Sequence, residues 1–251
     1  MELGLSGRRA AVAAASAGLG LASARSLARE GAIVAICGRD AERLTSAASL
    51  IRSEGGQVET VVADVGSPEG AAGFVDRAGA ALGGEVEILV TNAGGPPRGT
   101  FASTSMEDYR FAIELNLLST VAMCQQAVPA MQSAGWGRIV AITSIGARQP
   151  IGTLAASTTA RTGVTGFLKV LATEVAAHGI TVNSVQPGVH DTDRLLSLGA
   201  ADRAGLTDDI PAGRLGDAAD FGEVVAFLCS EQANFITGTS VLVDGGATRG
   251  L

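Results

Sequence analysis

Residues 9–30 read RAAVAAASAGLGLASARSLARE, and this stretch decides the fold. Its first half is short, apolar and nearly uncharged. Its second half sets Arg25, Arg29 and Glu30 into an apolar pattern of helical period. Gly18 and Gly20 stand at the junction. The pattern predicts a buried strand over Arg9–Ala14, a glycine turn and a helix from about residue 19. Glycines at such a turn let the backbone approach a pyrophosphate, and the helix N-terminus adds unpaired N–H groups and a positive dipole end. Ser16, Gly18, Leu19 and Gly20 are therefore candidate cofactor-binding residues. Taken alone, the turn also fits a purely packing role for its glycines. Arg8-Arg9 before an alanine-rich run imitates a twin-arginine export signal, but the glycine break and the later charges favour strand, turn and helix.

Outward from this stretch the rhythm repeats. Strands are expected at Ala32–Cys37, Val58–Val62, Val86–Thr91, Arg138–Thr143, Thr181–Val185 and Ser240–Val243. Helices are expected near 40–54, 68–82, 106–133, 155–178 and 217–230. The strands are almost continuously apolar, which marks a parallel sheet covered on both faces. The fold class predicted is α/β: a Rossmann-type, doubly wound, seven-stranded, mostly parallel sheet in a single domain over 1–251. Hydrophobic residues make up 47% and aromatics only 4%, with 34 glycines, so the core is expected to close by backbone proximity rather than large rings. The formal charge of −7, without a basic run, argues against nucleic acid or an anionic membrane as partner. Cys37, Cys124 and Cys229 lack disulfide or metal spacing; they read as reduced residues of a cytoplasmic protein with no metal site. Residues 189–213 break the rhythm with a polar, Asp-rich excursion, a candidate substrate lid beyond a strand end.

The second strand ends at Cys37-Gly38-Arg39. An acidic residue there would bond the free ribose hydroxyl of NAD and repel the extra phosphate of NADP. Gly38 leaves room instead, and Arg39 can pair with that phosphate, so NADP(H) is favoured over NAD(H). Asp40 and Glu42 stand close enough to quench Arg39. Ala63-Asp64-Val65, Thr91-Asn92-Ala93-Gly94 and Pro187-Gly188 with Thr192 follow the third, fourth and sixth strands. With Gly18 and Gly20, their order and spacing resemble the short-chain dehydrogenase/reductase superfamily over nearly the whole chain, through to Asp244-Gly-Gly. The resemblance implies that Asp64 bonds adenine, that Asn92 and Gly94 line the cofactor cleft, and that Thr192 meets the nicotinamide end. It also implies a homotetramer, with the helices near 106–133 and 155–178 in one interface and the C-terminal strand in another. Ala14 stands where the family has its first turn glycine, and fits there if its φ is negative.

The family's tetrad is Asn, Ser, Tyr and Lys. Asn116 and Ser144 match the first two; the tyrosine and lysine positions hold Ser157 and Arg161. The continuation Thr162-Gly163-Val164-Thr165-Gly166-Phe167 fixes the register, and the only tyrosine, Tyr109, belongs to another helix. Ser157 and Arg161 are four apart and share a helix face. A serine hydroxyl is a far weaker acid than a phenol, and arginine keeps its proton. His190, just past Pro187-Gly188, is the candidate replacement for acid–base work, set against a loop histidine without a role. Arg98 and Arg148 follow strand ends and read more simply as surface charge than as substrate contacts. The function expected is an NADP(H)-dependent oxidoreductase on a small carbonyl or alcohol substrate, with a non-standard proton donor. The alternatives are a non-redox isomerase, dehydratase or cyclase on the same scaffold, and a non-catalytic NADP(H)-binding protein.

Overall fold

Strands that are apolar along their whole length need cover on both faces, and the chain supplies it. The structure is a computed structural model and describes residues 2–196 and 205–250. Nine strands are described: β1 Arg9–Val12, β2 Ile33–Gly38, β3 Gln57–Val62, β4 Ile88–Thr91, β5 Gly137–Ile142, β6 Ile180–Pro187, β7 His190–Asp191, β8 Gly216–Asp217 and β9 Ser240–Val243. The main helices are α1 Gly18–Arg29, α2 Ala41–Ser53, α3 Pro68–Leu82, α4 Met106–Ala112, α5 Ser119–Ala134, α6 Ala155–Val175, the short α7 Asp193–Leu196 and α8 Ala218–Cys229.

Seven strands form one sheet in the order β3-β2-β1-β4-β5-β6-β9, and every neighbouring pair is parallel. The pleat sends alternate residues to opposite faces. Ala10 and Val12 of β1 join one core with Leu27, Leu44, Ile51, Phe221 and Val225, under α1, α2 and α8. Ala11 joins the other with Phe74, Met123, Met131, Val164 and Leu168, under α3, α5 and α6. Large rings are few, and backbones approach closely in their place. A Cβ at Gly222 of α8 would stand 2.5 Å from the Ala22 carbonyl oxygen of α1.

Local chemistry sets the helix ends. Ser67 accepts from the Gly70 N–H, Pro68 takes the first helical position, and Gly83 ends α3 in the left-handed region at φ 69°. Asp40 caps α2 by accepting from the N–H groups of Glu42 and Arg43. The N-terminus of α1 has no side-chain cap.

Two features depart from the sequence reading. The helix expected over 106–133 is one rod interrupted by a π-helical turn at Ile113–Leu118. Hydrophobic period detects helix but does not distinguish one extra residue per turn. The excursion from residue 189 also starts and ends as a two-residue parallel ribbon, β7 with β8, tightened by the Gly216 N–H to the Val189 carbonyl at 3.0 Å. Residues 197–204 of the expected lid lie outside the described residues.

Candidate active site

The strand order reverses between β1 and β4, and ligands of doubly wound sheets bind beyond the carboxyl ends of the strands at such a point. A cavity of about 370 Å³ opens there. One wall is the start of α1, Ala17 to Gly20, with Asn92 and Ala93 after β4. The other wall carries Ser144, Ser157, Arg161, and Pro187, Gly188, His190 and Thr192 after β6. Gly18, Leu19, Gly20, Asn92, Ala93, Ser144, Ser157, Arg161, Pro187, Gly188, His190 and Thr192 thus share one space. Ser16, Arg39, Asp64, Val65, Gly94 and Asn116 do not line it.

The turn before α1 is held from below. The Asn92 side-chain amide donates to the Ala14 carbonyl at 3.2 Å, and the Ala14 N–H donates to Cys37 Sγ at 3.3 Å. A Cβ at Gly20 would stand 2.6 Å from that carbonyl oxygen and 2.8 Å from Asn92 Nδ2, so the helix enters this close only because residue 20 has no side chain. The condition for an easy fit of Ala14, a negative φ, is not met: φ is +47°. For an L-residue this costs about 1–2 kcal/mol, offset here by hydrogen bonds on both its N–H and its carbonyl. Burial pushes the Cys37 thiol up to about 12, so it stays protonated as a packing group.

The far end of the cradle concerns the ribose. A Cβ at Gly38 would meet Ser16 Cβ at 3.0 Å and Oγ at 3.1 Å, so an acidic side chain there would have to displace Ser16. Arg39 is exposed beside it and, among the described residues, forms no ion pair; the Asp40 carboxylate is occupied as the α2 cap. Asp64 is exposed and accepts from the Gly66 N–H at 2.9 Å, while Val65 is buried in the second core.

At the opposite end, Ser144 caps a short 3₁₀ turn by accepting from the Gly146 N–H at 3.0 Å. Ser157 and Arg161 are both 8% exposed, one helical turn apart on α6. Arg161 Nη1 donates to the carbonyls of Ile142 and Thr143 at 3.2 and 3.0 Å, which fixes the guanidinium against the end of β5. Asn116 sits in the π-helical turn; its Nδ2 donates to the Gly94 carbonyl at 3.1 Å, and its buried Oδ1 has no partner among the described residues. π-turns of this kind gather at functional sites.

His190 pairs Nδ1 with the Gly188 carbonyl at 3.3 Å and meets the Phe221 ring edge-on, centroids 5.2 Å apart. Its ring lies against Gly216, where a Cβ would stand 2.6 Å from Nε2. Burial lowers its pKa below the ordinary 6.5, opposed by the Gly188 hydrogen bond and by Asp217 and Asp220. The unfolded chain then takes up this proton at a higher pH than the folded one, so stability falls as the pH drops below about 6.5. Melting temperatures should decline on acidification through that window, and His190→Gln should decline less. Parallel curves for the two proteins would assign the slope to other groups.

Arg98 is exposed and bonds Thr153 Oγ1 at 3.2 Å; Arg148 is exposed, and neither lines the cavity. Tyr109 packs on Ala156 and Ala160 of α6 and does not line it either. The sequence reading missed the apolar wall: Pro96, Ile145, Ile151, Leu154, Val189 and Leu195. Apolar side chains in loops just past strand ends were the available signal.

A family model described as enoyl-(acyl carrier protein) reductase matches residues 13–248. The 3-oxoacyl-[acyl-carrier-protein] reductase FabG of Escherichia coli is 36% identical over 240 residues, covering 96% of this chain and 97% of the relative. Dehydrogenase/reductase SDR family member 4 of Sus scrofa is 34% identical over 250 residues, covering 98% and 89%. The structure of L-sorbose reductase from Gluconobacter frateurii, complexed with NADPH and L-sorbose, superposes with a TM-score of 0.92 at 32% identity, covering 100% of both chains.

Proposed function

Since the chain belongs to the short-chain dehydrogenase/reductase superfamily and is an oxidoreductase of that type, we propose that it moves a hydride between NADP(H) and a small carbonyl or alcohol, with a proton donor other than tyrosine. One observation carries this reading: a single cavity joins the uncapped N-terminus of α1 to Ser144, Ser157 and Arg161. The residues fit a dinucleotide, because Gly20 lets α1 begin close against the turn and the uncapped start of α1, Ala17 to Gly20, lines the cavity.

Gly18, Leu19 and Gly20 would hold the pyrophosphate, Asp64 and Val65 the adenine side, and Ser16 and Arg39 the ribose phosphate. Asn92, Ala93, Gly94, Pro187, Gly188 and Thr192 would hold the nicotinamide half. When bound, the nicotinamide supplies or accepts the hydride. The hydroxyls of Ser144 and Ser157 donate to the carbonyl oxygen. Arg161 stabilises negative charge developing there but keeps its proton. Asn116 positions the loop after β4 through Gly94. The acid–base role falls to His190, a cavity-lining residue whose ring packs on Phe221 and Gly216 and whose pKa burial lowers.

The test is a titration of NADPH and NADH against the protein and Arg39→Ala. A charge-assisted phosphate contact is worth about 1.5–3 kcal/mol, so the variant should bind NADPH about 10–100-fold more weakly and NADH almost unchanged. Equal loss for both nucleotides would remove Arg39 from the phosphate site.

Val189, His190, Thr192 and Leu195 already line the cavity, which supports the excursion after β6 as a lid. The assembly proposed is a homotetramer, supported by exposed Phe111 ahead of the π-helical turn, Leu118 at its end and Val170 on α6. Sedimentation should give about four times 25.1 kDa; a monomer would refute it.

A further inference from the structure

The substrate half of the cavity carries a chemical bias of its own. Pro96 after β4, Ile145, Ile151 and Leu154 between β5 and α6, and Val189 and Leu195 after β6 converge on it, and none has a side chain that can donate or accept a hydrogen bond. Apart from Pro96, which is buried, these residues are half-buried. Among the described residues, several polar groups nearby are already engaged. The Asn92 amide serves the Ala14 carbonyl, His190 Nδ1 pairs with the Gly188 carbonyl, and Arg161 Nη1 serves Ile142 and Thr143. Ser144 accepts from Gly146 and keeps its own proton to donate, and the Ser157 hydroxyl lines the same cavity.

Resting on the proposed carbonyl–alcohol chemistry, we propose that the substrate is an aliphatic or alicyclic ketone, or the matching secondary alcohol, with one oxygen at the reacting carbon and a hydrocarbon remainder. Its oxygen meets Ser144 and Ser157, and Ile145, Ile151, Leu154 and Leu195 select the remainder. A polyhydroxylated ketose would bring hydroxyls against this wall, where each loses water without gaining a partner, costing about tenfold or more in affinity apiece. A matching hydrocarbon loses nothing and gains by burial.

The experiment compares cyclohexanone with L-sorbose, equal in carbon number, by saturation-transfer NMR on the intact protein with the oxidised cofactor present. The parent should bind cyclohexanone at least tenfold more tightly, and the double variant Ile151→Thr, Leu154→Asn should lose that preference while binding NADPH as the parent does. Equal or tighter binding of L-sorbose by the parent overturns the proposal without reference to the variant. A preference unchanged in a variant that still binds NADPH overturns the assignment of this wall. NADPH consumption is followed in parallel. Cyclohexanone bound in preference but never reduced would uphold the aliphatic pocket and sink the redox reading.

Discussion

The double substitution Ser157→Tyr, Arg161→Lys is expected to raise ketone reduction by about 10²–10⁴, the usual contribution of a positioned general acid. The reasoning is one of acidity. A phenol has a reference pKa of about 10 that a neighbouring cation lowers toward neutrality, whereas a serine hydroxyl stays far from that range. Lysine can pass a proton along; arginine cannot. Position 157 faces the 370 Å³ cavity, so the larger ring has space to enter. Each single change is expected to give less. Ser157→Tyr alone leaves a cation that cannot relay, and Arg161→Lys alone weakens the hold on the Ile142 and Thr143 carbonyls. The measurement is the initial rate with NADPH deuterated at the nicotinamide, together with deuterium in the product. A folded double variant that transfers deuterium no faster than the parent would show that proton donation does not limit this site.

Gly20→Ala carries the second large effect, in the opposite direction. The added methyl would stand 2.6 Å from the Ala14 carbonyl oxygen and 2.8 Å from Asn92 Nδ2, closer than such atoms come. Neither neighbour retreats easily. Ala14 is already in the left-handed region, and its carbonyl is the acceptor that holds Asn92. Overpacking of this kind costs about 1–3 kcal/mol. The start of α1 must also swing away from the phosphate position, so NADPH affinity should fall by about 100-fold or more, near 2.7 kcal/mol. Chemical denaturation and a nucleotide titration read the two losses separately. Parent-like affinity in the variant would place the pyrophosphate elsewhere.

Much of this was legible in the sequence because it is local or periodic. Near-continuous apolar runs showed the seven strands of the main sheet, and the glycine turn at 18–20 showed where the first helix begins. The spacing from Ser144 to Ser157 and Arg161 brought three residues to one cavity, because strand end and helix face are both fixed by register. Features that depend on long-range pairing were out of reach. The β7–β8 ribbon joins residues across the whole excursion, and no local pattern announces a two-residue strand. The sign of φ at Ala14 is set by Cys37 and Asn92, which the sequence places far away. The aliphatic wall is assembled from three connections, after β4, β5 and β6, whose convergence only the fold reveals.

The π-helical turn at Ile113–Leu118 has a consequence for how this chain can vary in length. On its N-terminal side, Tyr109 and Ala112, with Ile113 at the first position of the turn, press on Ala156 and Ala160, beside the two α6 residues of the site. C-terminal to it, Met123, Ala127 and Met131 press on the sheet. One extra residue in the turn sets the angular phase between these two faces. Deleting a residue there would restore uniform winding and rotate one face relative to the other by about 100°, the advance of a single helical residue. Either Tyr109 would leave α6 or Met123 would leave the core. The rod therefore behaves as a keyed shaft, tolerant of substitution along its exposed side and intolerant of any change in residue count between its two contacts.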